Sequence, residues 1–509
     1  MTNQPVNTRR VAKNTVILYF RMLFQMAVFL YTSRVLIQVL GVENSGLYDV
    51  VGGIVVVLMF LNNSMTTCTQ RFITVALGRG QNSYINEVYS VATTLHCLLG
   101  VLVVVVGGIF GSLYIHYFLV FPAEKVVDVF TVFGCSLLSG MLMIMSVPSN
   151  ATIIAHEDMG AFAAITILDV TLKLGAALTL YLLPQQNLLV SYALLMLLAA
   201  AIVRSVYWFY CHRHYRYIHF GWVKSGALYR EMLSFMGWNT FGNAAYVGNT
   251  QGINLVLNAF GGPVVNAARG VAFQVQTAVT QFIASFQTAI NPQITKTYAQ
   301  GQVEQTNRLV LISSRLSFML MLFIALPLLM DTEYILSLWL GNVPPYAPVF
   351  IRWMLCATLV DCVANPMMIG ASATGRVKTY YLVIGTTLLL TLPVGYFVVR
   401  TTNNPTHIFV TLLATTILAQ IFRMAICRGL FQFSVRTFVR KVVSRICLTG
   451  GLAAAGSYWL FTEISPNTFW QHAGFIFLSM TLSALLVLTL GLEANERNFL
   501  AKKLHLKRP

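Results

Sequence analysis

The chain has 509 residues, of which 57% are hydrophobic and only 10% charged, and its formal net charge is +17. Soluble domains are about 45–50% apolar and about 25% charged, so this composition excludes a water-soluble fold and indicates an all-α polytopic membrane protein. The loops are too short for a catalytic domain, and no nucleotide-binding or metal-binding spacing occurs, so neither an enzyme nor a cofactor or metal is expected.

Apolar runs of about 20 residues, the length that crosses a bilayer as a helix, predict fourteen transmembrane helices. They cover residues 14–39, 46–70, 89–114, 127–150, 161–183, 188–210, 236–259, 265–290, 309–330, 348–371, 379–399, 407–427, 446–463 and 472–491. Because 46–70 and 265–290 are rich in Asn, Gln and Thr, a count of twelve or thirteen stays open.

The basic residues are distributed unevenly between alternate loops. With both termini in the cytoplasm, twenty-three of the 33 Lys and Arg residues lie in cytoplasmic segments, whereas the external loops hold only Lys125 and Arg400. This bias follows the positive-inside rule and predicts an even number of spans with both termini cytoplasmic. The net charge therefore reflects topology beside anionic inner-leaflet lipid, and no nucleic acid partner is expected.

The two halves of the chain show a weak internal repeat, in which Gly41 aligns with Gly262 and Thr74 with Thr295. The repeat predicts two pseudo-symmetric six-helix lobes that run in the same direction, which in transporters places the binding site between the lobes. The predicted parts are an N-terminal lobe, a cytoplasmic linker, a C-terminal lobe and an additional helix pair with a basic cytoplasmic tail: 1–210, 211–235, 236–427 and 428–509.

Polar side chains recur at helical spacing in the first, second, seventh and eighth spans. The predicted lining residues are Asn14, Gln25, Asn62, Asn239, Asn243, Asn254, Gln276 and Thr280. Lipid satisfies none of these groups, so they face protein or a wet cavity. Hydrogen bonds between helices are the alternative for any single Asn or Gln. Four stripes at equivalent places in both halves favour a shared polar lumen.

Charged residues inside the spans indicate the sign of that lumen. Arg21 and Arg269 lie on the polar stripes, and Arg34 lies farther along the first span. Lipid head groups are an alternative partner for Arg34 and Arg269. A basic lumen lined by amides suits an anionic head group, especially a phosphate, which Arg binds bidentately.

Three acidic residues inside the spans are candidates for coupling to a proton, a sodium ion or the membrane potential: Asp49, Asp169 and Asp361. Lys173 follows Asp169 by four residues, so an ion pair along one helix is the simpler interpretation of Asp169. Asp361 lies deeper and is a candidate to pair with a basic residue elsewhere in the chain.

Four segments carry a resemblance to a known family. They are NTVILYFRMLFQMAVFLYTSRVLIQVLGVENSGLYDVVGGI at 14–54, TQRFITVALGRG at 69–80, AHEDMGAF at 155–162 and AFGGPVVNAARGVAFQVQT at 259–277. With fourteen spans arranged as 6+6+2, the whole chain resembles the polysaccharide transporters, the O-antigen and capsule flippases, of the multidrug/oligosaccharidyl-lipid/polysaccharide exporter superfamily.

This resemblance implies a V-shaped fold of two lobes around a cationic central cavity in the bacterial inner membrane. It implies movement of a polyprenyl-diphosphate-linked oligosaccharide (an O-antigen, capsule or exopolysaccharide repeat unit) from the cytoplasmic to the outer leaflet by alternating access. The family's lumen arginines match Arg21 and Arg269, with Arg34 helping near the outer mouth. A polysaccharide polymerase or other export machinery is a candidate partner.

Two other functions remain as alternatives. A cation-coupled multidrug antiporter of the same fold would favour acidic residues in the lumen, yet the first and seventh spans contain none. A membrane glycosyltransferase or polymerase would need a sizeable loop with catalytic residues, and the external loops are short and nearly uncharged. The sequence therefore favours the lipid-linked oligosaccharide flippase.

Overall fold

The structure is a computed structural model, and it describes residues 8–58, 60–80, 82–118, 123–184, 187–340, 343–493 and 496–497. Within these ranges the elements are helices joined by short turns, and none is a β-strand. The all-α fold class predicted from composition is therefore confirmed.

The described residues form two compact units, 1–240 and 241–509. The first unit holds six helices and the start of a seventh: α1 Thr8–Leu58, α2 Phe60–Arg79, α3 Asn82–Phe118, α4 Val126–Ala155, α5 Met159–Thr179, α6 Leu188–His214 and α7 Gly226–Ala299. The second unit holds the rest of α7 and ten more helices: α8 Val303–Met330, α9 Thr332–Leu340, α10 Ala347–Asp361, α11 Ala364–Ala373, α12 Lys378–Leu389, α13 Thr391–Thr402, α14 His407–Phe431, α15 Val435–Phe438, α16 Ser444–Ile464 and α17 Phe469–Leu486.

Two of the boundaries predicted between spans fall where the chain changes direction within one long element. In α1, Gly41 leaves helical geometry, with φ 75° and ψ 167°, so α1 consists of two helices joined by a kink. Glycine adopts this conformation without steric cost. Within the range of α7, Arg269 contacts Asn254 and Thr250, which lie 15 and 19 residues earlier, at 2.6 Å. Fifteen residues of straight helix would span about 22 Å, so the chain folds back between residues 254 and 269, the region that contains the predicted loop at 260–264.

The first unit is built around α4, which packs against α2, α3 and α6. Its core includes Val132 and Phe133 of α4 with Leu189 of α6. Helix α1 packs along α5 and buries Leu18 and Met22, while Phe20 and Phe29 of the same helix are exposed. An apolar surface of this kind suits contact with lipid acyl chains.

In the second unit, α14 packs against α10, α12 and α13, and α8 packs against α16 and α17. A fully buried arginine, Arg315 of α8, holds Glu493 and Glu496 to this unit. Its guanidinium contacts Glu493 at 3.2 Å and Glu496 at 2.6 Å. Glu493 and Glu496 therefore belong to the folded second unit.

Ten helices in the described ranges are long and apolar enough to cross a membrane. The chain is thus a multi-pass membrane protein, as its composition predicts. The predicted total of fourteen spans, their orientation and the lobe boundaries stay predictions. Helices α6 and α7 extend into the predicted linker 211–235 and leave residues 215–225 as the connection between them.

Candidate functional site

Arg21, the first predicted lumen cation, is buried inside the first unit. Only 8% of the residue is exposed, and its Cζ lies 4.7 Å from the ring centroid of Phe162 on α5. No carboxylate in the described ranges lies within ion-pair distance of it, and its buried Nε lacks a hydrogen-bond partner there. A guanidinium over an aromatic face is stabilised by a cation–π contact, which leaves its full positive charge uncompensated.

The neighbours of Arg21 on α1 have different surroundings. Asn14 is buried two turns before it and donates to the backbone oxygen of Glu157 at 3.3 Å. Gln25 is half-buried one turn after Arg21, whereas Arg34 is exposed. The structure therefore places Arg21 and Asn14 in the interior of the first unit and Arg34 on its surface.

Arg269, the second predicted lumen cation, is buried inside the second unit with 5% of its surface exposed. Its two terminal nitrogens donate to Asn254 Oδ1 and to the Thr250 backbone oxygen, both at 2.6 Å. Its buried Nε has no partner in the described ranges. Because both acceptors are neutral, Arg269 is held in position and retains its charge.

The polar stripe of α7 is used largely for hydrogen bonds between helices. Asn239 donates to the Ser64 backbone oxygen at 3.0 Å inside the first unit. Gln276 donates to the Thr358 hydroxyl on α10 at 2.8 Å inside the second. These contacts correspond to the interhelical alternative that the sequence leaves open.

The remaining predicted lining residues differ in what the structure shows of them. Thr280 is exposed and its hydroxyl donates to the Gln276 backbone oxygen of its own helix, at 2.8 Å. Asn243 is half-buried. The side chains of Asn62 and Asp49, both predicted site residues, lie outside the described residues.

The two acidic candidates whose side chains are described are each neutralised by a base. Asp169 contacts Lys173 at 2.8 Å, which is the ion pair expected from their spacing. Asp361 contacts Arg423 of α14 at 3.0 Å, and half of the Asp361 side chain stays exposed. Both acidic residues thus have a basic partner, whereas the buried bases Arg21 and Arg269 have no acidic partner in the described ranges.

The sequence did not identify the residues that contact Arg21 and Asp361. Phe162 supports Arg21, and Arg423 neutralises Asp361, although both partners lie far away in the chain. Phe162 closes the AHEDMGAF segment, which the sequence singles out without assigning a contact. Arg423 carries no such signal, because only the packing of α14 against α10 brings it to Asp361.

A family model described as MatE matches residues 239–397 of the chain. No curated protein matches the chain by sequence. A crystal structure of MATE in the bent conformation aligns with TM-score 0.73 and 15% identity, and the match covers 84% of this chain and 95% of that one. The outward-facing conformation of a multidrug resistance MATE family transporter of the MOP superfamily aligns with TM-score 0.68 and 16% identity, covering 85% and 99%.

A MOP superfamily transporter from Pyrococcus furiosus, described as having a binding pocket of reverse polarity that suggests a different function, aligns with TM-score 0.66 and 14% identity over 85% of this chain and 99% of that one. At these identities the similarity establishes the fold. The chain therefore has the fold of the MATE transporters of the MOP superfamily, which agrees with the expectation of a transporter.

Proposed function

We propose that the protein is an inner-membrane flippase that moves a polyprenyl-diphosphate-linked oligosaccharide from the cytoplasmic to the outer leaflet by alternating access. The observation that carries this proposal is the pair of buried bases, Arg21 and Arg269, without acidic partners in the described ranges. Each unit thus contributes a positive charge that the surrounding protein leaves uncompensated.

A buried charge without a partner is costly, so its presence in a membrane protein is a sign of function. A diphosphate supplies the missing negative charge, and a guanidinium binds phosphate oxygens bidentately. Arg269 also offers its unpartnered Nε, and Asn254 and Thr250 fix the orientation of its terminal nitrogens. The site is therefore organised for an anion before the anion arrives.

The second candidate is a cation-coupled multidrug antiporter. It is favoured by the MatE family model over 239–397 and by the multidrug transporter among the similar structures. Organic cations and coupling ions need an available carboxylate. Asp169 and Asp361 are both occupied by bases, although the half-exposed Asp361 keeps an accessible face. The excess of uncompensated bases favours the anionic substrate.

The test replaces the first arginine in cells that lack the chromosomal gene. Arg21→Ala should abolish surface polymer at normal protein abundance and leave lipid-linked repeat units on the inner leaflet, and Arg21→Lys should restore part of the export. Arg79→Ala is the matched control, because Arg79 lies exposed at the end of α2. Normal export by Arg21→Ala would contradict the proposed role of Arg21 in substrate binding. Accumulation of cationic dyes in the deletion strain would support the antiporter.

A further inference from the structure

The AHEDMGAF segment forms one wall of a cavity that opens to the surface of the first unit. The cavity has a volume of about 380 Å³ and is lined by Lys13 and Asn14 of α1, by His156, Glu157 and Asp158 between α4 and α5, and by Tyr215 after α6. Ligand pockets for small molecules begin near 300 Å³, and a water molecule occupies about 30 Å³. The space is therefore sized for a small organic group and too large for a single ion.

The turn that carries the two carboxylates is fixed by its neighbours. Glu157 is buried and has a left-handed backbone with φ 59°, a conformation that residues with side chains adopt only when the surroundings hold them there. Asp158 accepts from the Ala161 backbone nitrogen at 3.3 Å and from the Tyr210 hydroxyl at 2.6 Å. A carboxylate has about four acceptor positions, so Asp158 retains capacity for a ligand.

An aromatic wall completes the cavity. The ring of Tyr215 stacks on His156 with centroids 4.1 Å apart, and the Tyr215 hydroxyl is buried without a partner in the described ranges. Burial, together with the nearby Asp158, raises the pKa of Tyr215, so its hydroxyl stays protonated and able to donate. The cavity thus combines an ammonium group, carboxylates, an amide and aromatic rings, and no single sign of charge dominates it.

The cavity and Arg21 share two helices. Asn14 precedes Arg21 by seven residues on α1, which is two turns or roughly 10 Å along the helix axis. On α5, Gly160 lines the cavity and Phe162 lies two residues later, against the Arg21 guanidinium. A molecule with an anionic group at Arg21 and a polar extension toward the start of α1 would occupy both places.

We propose that this cavity is a carbohydrate subsite, which binds the sugar next to the diphosphate while Arg21 binds the diphosphate itself. The inference rests on the proposed flippase function and adds the position of the glycan. Sugars present closely spaced hydroxyls that both donate and accept. The Asp158 carboxylate can accept from them, and the Lys13 ammonium and the Tyr215 hydroxyl can donate to them. The mixed charge of the lining disfavours a simple anion or a simple cation.

The test compares two probes on the full-length protein purified in lipid nanodiscs. One is undecaprenyl diphosphate without sugar, and the other is the undecaprenyl-diphosphate-linked glycan extracted from the deletion strain. Dissociation constants are measured by native mass spectrometry. Wild-type protein should prefer the glycan-bearing lipid by about tenfold, which is the effect of one or two additional hydrogen bonds.

Gly160→Leu places a bulky side chain at a residue that lines the cavity, and a Cβ at Gly160 meets only Asp158 Oδ1, at 3.8 Å. This variant should lose the preference and bind both lipids with similar affinity. Gly175→Leu is the matched control, since it lies on the same helix with nothing within 4 Å of its Cβ, and it should keep the preference.

Lys13→Gln changes the lining without added bulk and should reduce the preference by a smaller factor, which provides a second test if Gly160→Leu does not accumulate.

Equal binding of both lipids by wild-type protein would overturn the subsite and leave the flippase proposal standing. A Gly160→Leu protein that keeps the full preference, or a Lys13→Gln protein that does so when Gly160→Leu does not accumulate, would have the same meaning. Binding of neither lipid by wild-type protein would instead overturn the proposed function and the subsite together.

Discussion

Gln287 of α7 donates a hydrogen bond at 3.0 Å to the backbone oxygen of Cys362, at the junction of α10 and α11. Pro366 lies four residues beyond Cys362 and has no N–H, so the Cys362 oxygen lacks its usual helical donor. The Gln287 amide takes that place, and it also donates to Ser317 at 3.0 Å. A proline break inside the second unit is thereby satisfied by a side chain from another helix.

Replacing Gln287 should therefore destabilise the second unit. Gln287→Ala leaves the Cys362 oxygen buried without a donor, at a cost of about 1–3 kcal/mol. The midpoint of thermal unfolding of the purified protein measures the loss. Thr277→Ala on the same helix is the control, because the Thr277 hydroxyl is exposed and bonds only within its own helix. Equal midpoints for the two variants would contradict this role of Gln287.

Removal of the carboxylates that hold Arg315 should destabilise the protein more than Gln287→Ala does. Glu493→Gln combined with Glu496→Gln leaves a fully buried guanidinium without negative charge, which should cost about 3 kcal/mol. Glu333→Gln, in the exposed pair with Arg352, should cost about 0–1 kcal/mol. Thermal unfolding of both variants provides the comparison, and a double variant as stable as the wild type would rule out this role.

The same ion pairs predict how stability changes with acidity. Burial alone would raise the pKa of Glu493, but the nearby Arg315, Lys441 and Arg445 outweigh it and hold that pKa below its usual value. A lowered pKa means that the carboxylate stabilises the fold above the pKa of the unfolded chain and stops doing so as the pH falls through the folded one. Between about pH 5 and about pH 3, wild-type protein should lose more of its unfolding midpoint than the double glutamine variant, and parallel curves would contradict the prediction.

Gly242 of α7 is required for close packing. A Cβ at this position would lie 2.4 Å from the ring of Tyr381, whereas a Cβ at Gly248, on the same helix, finds its nearest neighbour at 3.5 Å. Gly242→Ala should therefore destabilise the protein by about 1–3 kcal/mol through overpacking. Gly248→Ala should be neutral or slightly stabilising, because alanine favours the helix. The ordering of the two unfolding midpoints tests this, and the reverse ordering would contradict it.

The charge of Arg269 is open to a direct test through its neutral partner. Asn254→Asp places a carboxylate of the same shape at 2.6 Å from the guanidinium and converts a free cation into an ion pair. Transport of the lipid-linked glycan in reconstituted vesicles should fall by roughly tenfold or more, because the diphosphate must displace a bound carboxylate.

Asn258→Asp is the control for this charge test, since Asn258 is exposed one turn further along α7. It should transport normally. Undiminished transport by Asn254→Asp would show that the free charge of Arg269 is not used.

Composition and periodicity were sufficient to predict the fold class, because the cost of exposing polar groups to lipid acts along each helix separately. That Arg21 and Arg269 face a polar lumen stays a prediction, and the structure shows both residues buried. Composition and periodicity were insufficient for features that depend on contacts between distant residues. The Asp361–Arg423 pair joins residues 62 positions apart, and Gln276 finds Thr358 on another helix 82 residues away. The polar stripe of α7 indicated that its side chains have hydrogen-bond partners. The identity of those partners depends on how the helices pack.

The interruptions between apolar runs did indicate where the chain changes direction. Residues 40–45 and 260–264 are polar or glycine-containing, and the backbone kinks at Gly41. The contacts of Arg269 with Asn254 and Thr250 require the chain to fold back between residues 254 and 269. Hydropathy gave the positions of these breaks and not their geometry.

The ion pairs of Arg315 with Glu493 and Glu496 also constrain the order of events during biosynthesis. The arginine belongs to α8, but both carboxylates that compensate it are encoded after α17, so the ribosome delivers them more than 170 residues later. Throughout that interval Arg315 has neither of its carboxylate partners, although its position is buried in the folded protein. Closure of that region must therefore wait until Glu493 and Glu496 have been translated, and a stop codon before residue 493 would leave Arg315 without either carboxylate.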